Sequence, residues 1–143
     1  MSALTKERGQ KPFFIKKIRL PIGANMKAYK GAIACFDSSA AGYVVQGKAS
    51  TTLTRIGVFA ETVDNTGGSA GALLVNVELD REIMGQWFAN DAGTAVVAAN
   101  IGTDVYILDD HTVTGDSTGH SKAGRCWKVD SQLGVAVELL GVT

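Results

Sequence analysis

Apolar and polar positions along this chain alternate in short runs with a period of two, and turn residues break the runs roughly every ten positions. This is the pattern of half-buried strands. The clearest case is Ala72 to Leu79 (ALLVNVEL), where Leu73, Val75, Val77 and Leu79 share one face and Leu74, Asn76 and Glu78 the other. Further strands are expected over 28–36 (AYKGAIACF), 42–46 (GYVVQ), 54–63 (TRIGVFAETV), 83–89 (after a bend at Asp80-Arg81-Glu82) and 105–108. A terminal hairpin is expected from 124–130 and 135–140 around Ser131-Gln132-Leu133-Gly134. Asp64-Asn65-Thr66-Gly67-Gly68-Ser69 is a strong turn signal, because Asn and Gly accept positive φ at little steric cost. One short helix fits, Thr94 to Ile101, with Thr94 as its cap and Gly102 as its end. Asp109 to Lys122 reads as a long polar loop. The expected fold is all-β: a compact jelly-roll-like or barrel-like body, residues 21–143, behind an extended N-terminal arm, residues 1–20.

Composition fits this picture. The 143 residues are enough for one domain with its own core, and 17 Gly against 2 Pro suit strands joined by tight turns. Cys35 and Cys126 lack metal-ligand spacing and are expected as buried thiols; spacing alone neither requires nor excludes a disulfide between them. The first residues, MSALTKERGQKPFF, lack the apolar run of a secretion signal, which predicts synthesis in the cytoplasm and no membrane partner.

The zero net charge hides a division. Residues 1–30 carry eight basic side chains and one acid, net +7, whereas the other 113 residues carry six basic and thirteen acidic ones, net −7. The basic end contains Lys6, Arg8, Lys11, Lys16, Lys17 and Arg19 around an apolar cluster, Phe13, Phe14 and Ile15. Charge supplies attraction to an acidic surface and the apolar side chains supply contact area, so these nine residues are the expected partner-binding arm. The run FFIKKIRLP also suits an edge strand whose lysines discourage unwanted pairing.

Catalytic chemistry finds little support. GYVVQGK (Gly42 to Lys48) has phosphate-loop spacing, but Ala49 stands where a hydroxyl should bind magnesium and Tyr43-Val44-Val45 favours a strand. Asp109, Asp110, His111, Asp116 and His120 gather acids and both histidines without the spacing of a calcium or zinc motif; a solvated loop is the simpler reading. No serine sits in a nucleophile-elbow context. The sequence therefore predicts no catalytic residues, no metal, no cofactor and no small-molecule substrate. Trp87 and Trp127, with Tyr29, Tyr43 and Tyr106, have the composition of a base-stacking platform, with Arg125 and Lys128 beside Trp127; core packing is the expected role of both tryptophans.

Three segments, IGVFAETVDNTGGSAG followed by LLVNVEL, then TAVVAANIGTDVYILDDHTVT, then SKAGRCWKVDSQLGVAVEL, carry a family resemblance over roughly residues 54–140. The chain resembles the decoration, or cement, proteins on the capsids of tailed bacteriophages. The resemblance implies a β-rich body on the outer surface of an icosahedral shell, a small homo-oligomer (dimer or trimer), and the major capsid protein as partner, with a location in the virion. It carries over no catalytic residues. A single-stranded nucleic-acid-binding barrel is the alternative, with nucleic acid the less expected partner.

Overall fold

The computed structural model describes residues 17–79 and 85–138. Twelve strands follow in order: β1 Lys17–Pro21, β2 Lys27–Ala28, β3 Ile33–Asp37, β4 Val44–Gln46, β5 Leu53–Phe59, β6 Val63–Asp64, β7 Leu74–Leu79, β8 Gly85–Asn90, β9 Asp104–Ile107, β10 Thr112–Thr114, β11 Lys122–Asp130 and β12 Gly134–Glu138. They form a five-stranded sheet in the order β1-β7-β5-β3-β4, a closed five-stranded barrel in the order β10-β8-β12-β11-β9, and a two-stranded ribbon of β2 and β6. The all-β, barrel-containing architecture expected from alternation is the one observed. No helix among the described residues is long and apolar enough to cross a membrane.

The open sheet is covered on both faces. Ile33, Cys35, Leu53 and Val58 point one way and join the barrel residues Phe88, Val105, Ile107, Val113, Ala123, Cys126, Val135 and Val137 in one buried cluster. Ala32, Ala34, Val44, Phe59, Val75 and Val77 point the other way and pack with Ile22 and Ala28. β3, β4 and β5 thus feed both cores, whereas β1 and β7 contribute to the second one alone. Polar bonds also join sheet and barrel: Leu53 N–H donates to Ser121 Oγ (2.9 Å), and the Ser121 hydroxyl donates to the Ser50 carbonyl (2.6 Å). Ile33 N–H donates to the Asp110 carbonyl (2.7 Å).

Two glycines are required by geometry. Gly57 faces β7 so closely that a Cβ would collide with the Glu78 carbonyl oxygen. Gly124 has φ +150° at a register shift in β11, where a Cβ would meet the Glu138 carbonyl oxygen.

Several expected boundaries change. The run 28–36 is two strands separated by a turn, and the run 54–63 is likewise split into β5 and β6. The expected helix over 94–101 is a single 3-10 turn, Ala98–Asn100; Val97 is extended, Thr94 caps nothing helical, and Gly102 at φ +87° does end the turn. Val96 is instead seated in the core, its N–H and C=O both bonded to the Asn90 side-chain amide (2.8 Å each). The expected loop 109–122 contains β10, which pairs parallel with β8 and antiparallel with β9 and so closes the barrel. The turn at 64–69 forms as expected; buried Asn65 pins it by donating to the carbonyls of Gly23 (2.9 Å) and Ser69 (3.1 Å). The bend at 80–82 and the last two residues of the terminal hairpin lie outside the described residues.

Cys35 and Cys126 are both free and buried, as expected for thiols without a metal role. Burial pushes the Cys35 thiol up to about 12, so little thiolate exists near neutral pH. Both thiols should resist a water-soluble thiol reagent at pH 8 in the native protein and react on addition of denaturant; rapid native-state labelling of Cys35 would contradict this packing. Gly57→Ala should lower unfolding stability by about 3 kcal/mol, read from the urea midpoint, through overpacking against β7. An unchanged midpoint would mean the two strands separate easily there.

Candidate partner-binding surfaces

Of the nine arm residues, Lys6, Arg8, Lys11, Phe13, Phe14, Ile15 and Lys16 lie outside the described residues. Lys17 and Arg19 belong to β1, so the sequence boundary drawn at residue 20 falls within a strand of the body's own sheet. β1 pairs antiparallel with β7, from Lys17 opposite Glu78 to Pro21 opposite Leu74. Lys17 and Arg19 are exposed, while Ile18 and Leu20 pack against the sheet core. The edge-strand reading of this segment therefore holds for its second half. Beyond Pro21 the chain crosses to β4: Ile22 bridges Val44 in parallel, and Gly23 N–H donates to the Val44 carbonyl (2.9 Å). Among the described residues, the sheet-pairing edge along Lys17–Leu20 has β7 on one side only.

The second surface departs from the core role expected of both tryptophans. Trp87 is 42% exposed and Trp127 is 49% exposed, so neither fills the core. The period of two explains Trp87: Phe88 is the inward residue of that pair, packed in the barrel. At β11 the register shifts between Cys126 and Lys128, so inward Cys126 is followed by two outward residues, Trp127 and Lys128. Between the two indoles runs β12, which places Ala136 opposite both Trp87 and Lys128. The result is an open depression of about 290 Å³ with an alanine floor, indole walls, and Lys128, Gln86 and Glu138 at its rim. Trp87 also borders a neighbouring depression of about 440 Å³ that reaches Asn90, Gln132 and Leu133.

Phe88 has a separate task inside. Arg55 of β5 is 2% exposed, lies 5.1 Å from the Phe88 ring centroid, and donates to the Ala123 carbonyl (3.2 Å). A guanidinium over a ring face is a favourable contact, and it ties the sheet to the barrel.

The other sequence candidates make bonds within the fold. In GYVVQGK, Val44–Gln46 is β4, Gly47 N–H donates to the Ile33 carbonyl, and Lys48 pairs with Asp37 (3.4 Å). Those groups are committed to the fold rather than forming a cradle for phosphate. Asp109, Asp110 and His111 bring their ligand atoms within 4.8 Å of one another. They bond among themselves: Asp109 accepts from His111 N–H (3.0 Å), and His111 Nδ1 lies 2.9 Å from Asp110. The Asp110 hydrogen bond raises the His111 pKa, as a neighbouring carboxylate should. Asp116 accepts from Thr118 N–H within the same loop, and His120 N–H donates to the Ser117 carbonyl.

Asp37 is a structural carboxylate: it closes β3 and caps the 3-10 turn Ser38–Ala40, and its burial was not foreseen from the sequence. It is 3% exposed, and its Oδ1 accepts from the Ser39 hydroxyl (2.7 Å), the Thr52 hydroxyl (2.7 Å) and Ser39 N–H (2.9 Å). These bonds, the Ser39 hydroxyl foremost, hold its carboxyl well below the usual carboxylate range. A depressed folded-state pKa contributes stability that is present above the unfolded value near 4 and is lost as pH falls through the folded value.

No family model, curated protein or solved structure matches this chain. The class defined here is therefore architectural: an all-β protein in which a barrel and a five-stranded sheet share a core.

Asp37→Ala should cost about 2 kcal/mol at pH 7, because it strands the Ser39 and Thr52 donors. The difference from the parent protein should shrink as pH falls below 4 in urea titrations. A difference that does not change with pH would mean the carboxylate charge contributes nothing.

Proposed function

We propose that this chain is a structural decoration protein that binds the outer surface of an icosahedral phage head and bridges neighbouring major capsid subunits. The observation that carries the reading is the placement of β1. The basic leading segment runs directly into an edge strand of a two-core β body, with Lys17 and Arg19 outward and Ile18 and Leu20 anchored inward. Lys6, Arg8, Lys11 and Lys16, with Phe13, Phe14 and Ile15, precede that anchor in sequence. A partner that engages this segment is thus coupled mechanically to the sheet. The charge division supports an acidic partner surface, and the sequence resemblance over residues 54–140 supports the shell as that partner.

The energetics suit a repetitive lattice. One exposed ion pair contributes about 0–1 kcal/mol. Several such contacts, each raising the effective concentration for the next, give firm attachment without any single strong site. Such a role is mechanical: it holds shell subunits together.

A base-stacking role has the exposed indoles in its favour. Against it, the charges around the depression balance: Lys128 and Glu138 line it, and beyond them Arg125 stands opposite Glu138 and Asp104 opposite Arg125. A groove for a phosphate backbone needs an excess of positive charge.

Deleting residues 2–15 should abolish binding to purified particles while leaving the circular dichroism and unfolding midpoint of the body unchanged. Charge reversal at Lys17 and Arg19 should weaken binding and reduce its salt dependence. Full-occupancy decoration by the truncated protein would overturn the proposal.

A further inference from the structure

The outer barrel wall holds both of the chain's tryptophans, each with nearly half its surface in water, on either side of Ala136. Among the described residues, neither indole N–H has a hydrogen-bond partner. We propose that this wall binds a neutral oligosaccharide, with sugar rings stacked against Trp87 and Trp127.

Charge narrows the ligand class first. The five barrel strands carry three basic side chains, Lys122, Arg125 and Lys128, and three acidic ones, Asp104, Asp130 and Glu138. The signs are interleaved: Arg125 stands between Glu138 and Asp104 on the neighbouring strands, and Lys122 pairs with Asp104 (3.3 Å). Such a wall has no net charge to attract a nucleic acid or any other polyion. It does offer donors and acceptors side by side. Among the described residues, the side chains of Arg125, Lys128 and Glu138 make no hydrogen bond or ion pair. A sugar hydroxyl both donates and accepts, so it can use the cations and the carboxylate alike. A proline-rich peptide presents carbonyls and few donors, and would leave Glu138 unmet.

Shape agrees. β8, β12 and β11 are neighbours, so the two indoles rise from strands about 10 Å apart. A six-membered ring resting on Ala136 can then touch both at van der Waals distance. A pyranose face is lined with C–H bonds of slightly positive charge, which suits the electron-rich face of an indole. Trp87 also borders the neighbouring depression, where the side chains of Ser131 and Gln132 make no hydrogen bond among the described residues. The two depressions, about 290 and 440 Å³, meet at Trp87 and form one track, which suits linked rings rather than a single sugar.

Because the chain has only these two tryptophans, its indole emission reports on this wall alone. The isolated full chain is titrated with maltohexaose, cellohexaose, mannohexaose and chitohexaose, all uncharged. At least one should change the emission saturably with a Kd below about 5 mM, and its monosaccharide should bind about tenfold more weakly or less. Added salt should leave that Kd unchanged, since the ligand carries no charge. Trp87→Ala and Trp127→Ala should each raise the Kd about tenfold, with the remaining indole as reporter. Ala136→Gln fills the floor and keeps both indoles, so it should abolish the response while leaving the unfolding midpoint in place. That variant keeps the test decisive if a tryptophan variant fails to fold. No saturable change with any of the four sugars would overturn the proposal. So would binding that these variants leave intact, or a response to a thymidine oligonucleotide or a decaproline peptide and to none of the sugars. Attachment to particles is read separately, in the absence of sugar, so a negative titration leaves the shell reading standing.

Discussion

Closure of the five-stranded barrel constrains everything outside it. Once β10 pairs with both β8 and β9, every strand in the ring has its inward and outward positions fixed. Phe88, Cys126, Val135 and Val137 take the interior, so Trp87, Ala136 and Trp127 must face out. The barrel has no free edge to offer a partner. What it offers is a wall, and two indoles stand on it.

The open sheet supplies the complementary feature. Its central strands are held on both faces, by the barrel through Ile33, Cys35, Leu53 and Val58 and by the second core through Ala34, Phe59, Val75 and Val77. Arg55 beneath Phe88 and the Ser121 hydroxyl reinforce the junction. β1, at the margin of this rigid sheet, is where the basic leading segment enters the body. The same rigidity suits the proposed mechanical role.

The sequence made strands legible wherever one phase of the alternation was clearly apolar, as in Val75 and Val77 of β7. It concealed β10 because three residues, Thr112-Val113-Thr114, carry too short a period to stand out within a polar stretch. TAVVAAN reads as a helix from its alanines, yet Val96 is seated by the Asn90 amide six residues away, a pairing that local propensity does not register. The tryptophans were misplaced because both phases of their strands contain large apolar residues. Trp87 adjoins Phe88, and the bulge at Trp127 shifts the count by one. Period alone gives no phase in such segments. Asp37 bonds Ser39 locally, two residues on, but its contact with Thr52 gave no signal, since those two meet only through the pairing of β3 with β5.

The central claim is that this chain acts through surfaces, as a component of a larger assembly. Quantifying it in purified phage particles against the largest shell subunit tests that claim most directly. The account predicts a fixed copy ratio that survives repeated purification. A variable ratio, or absence from particles that are otherwise complete, would contradict it.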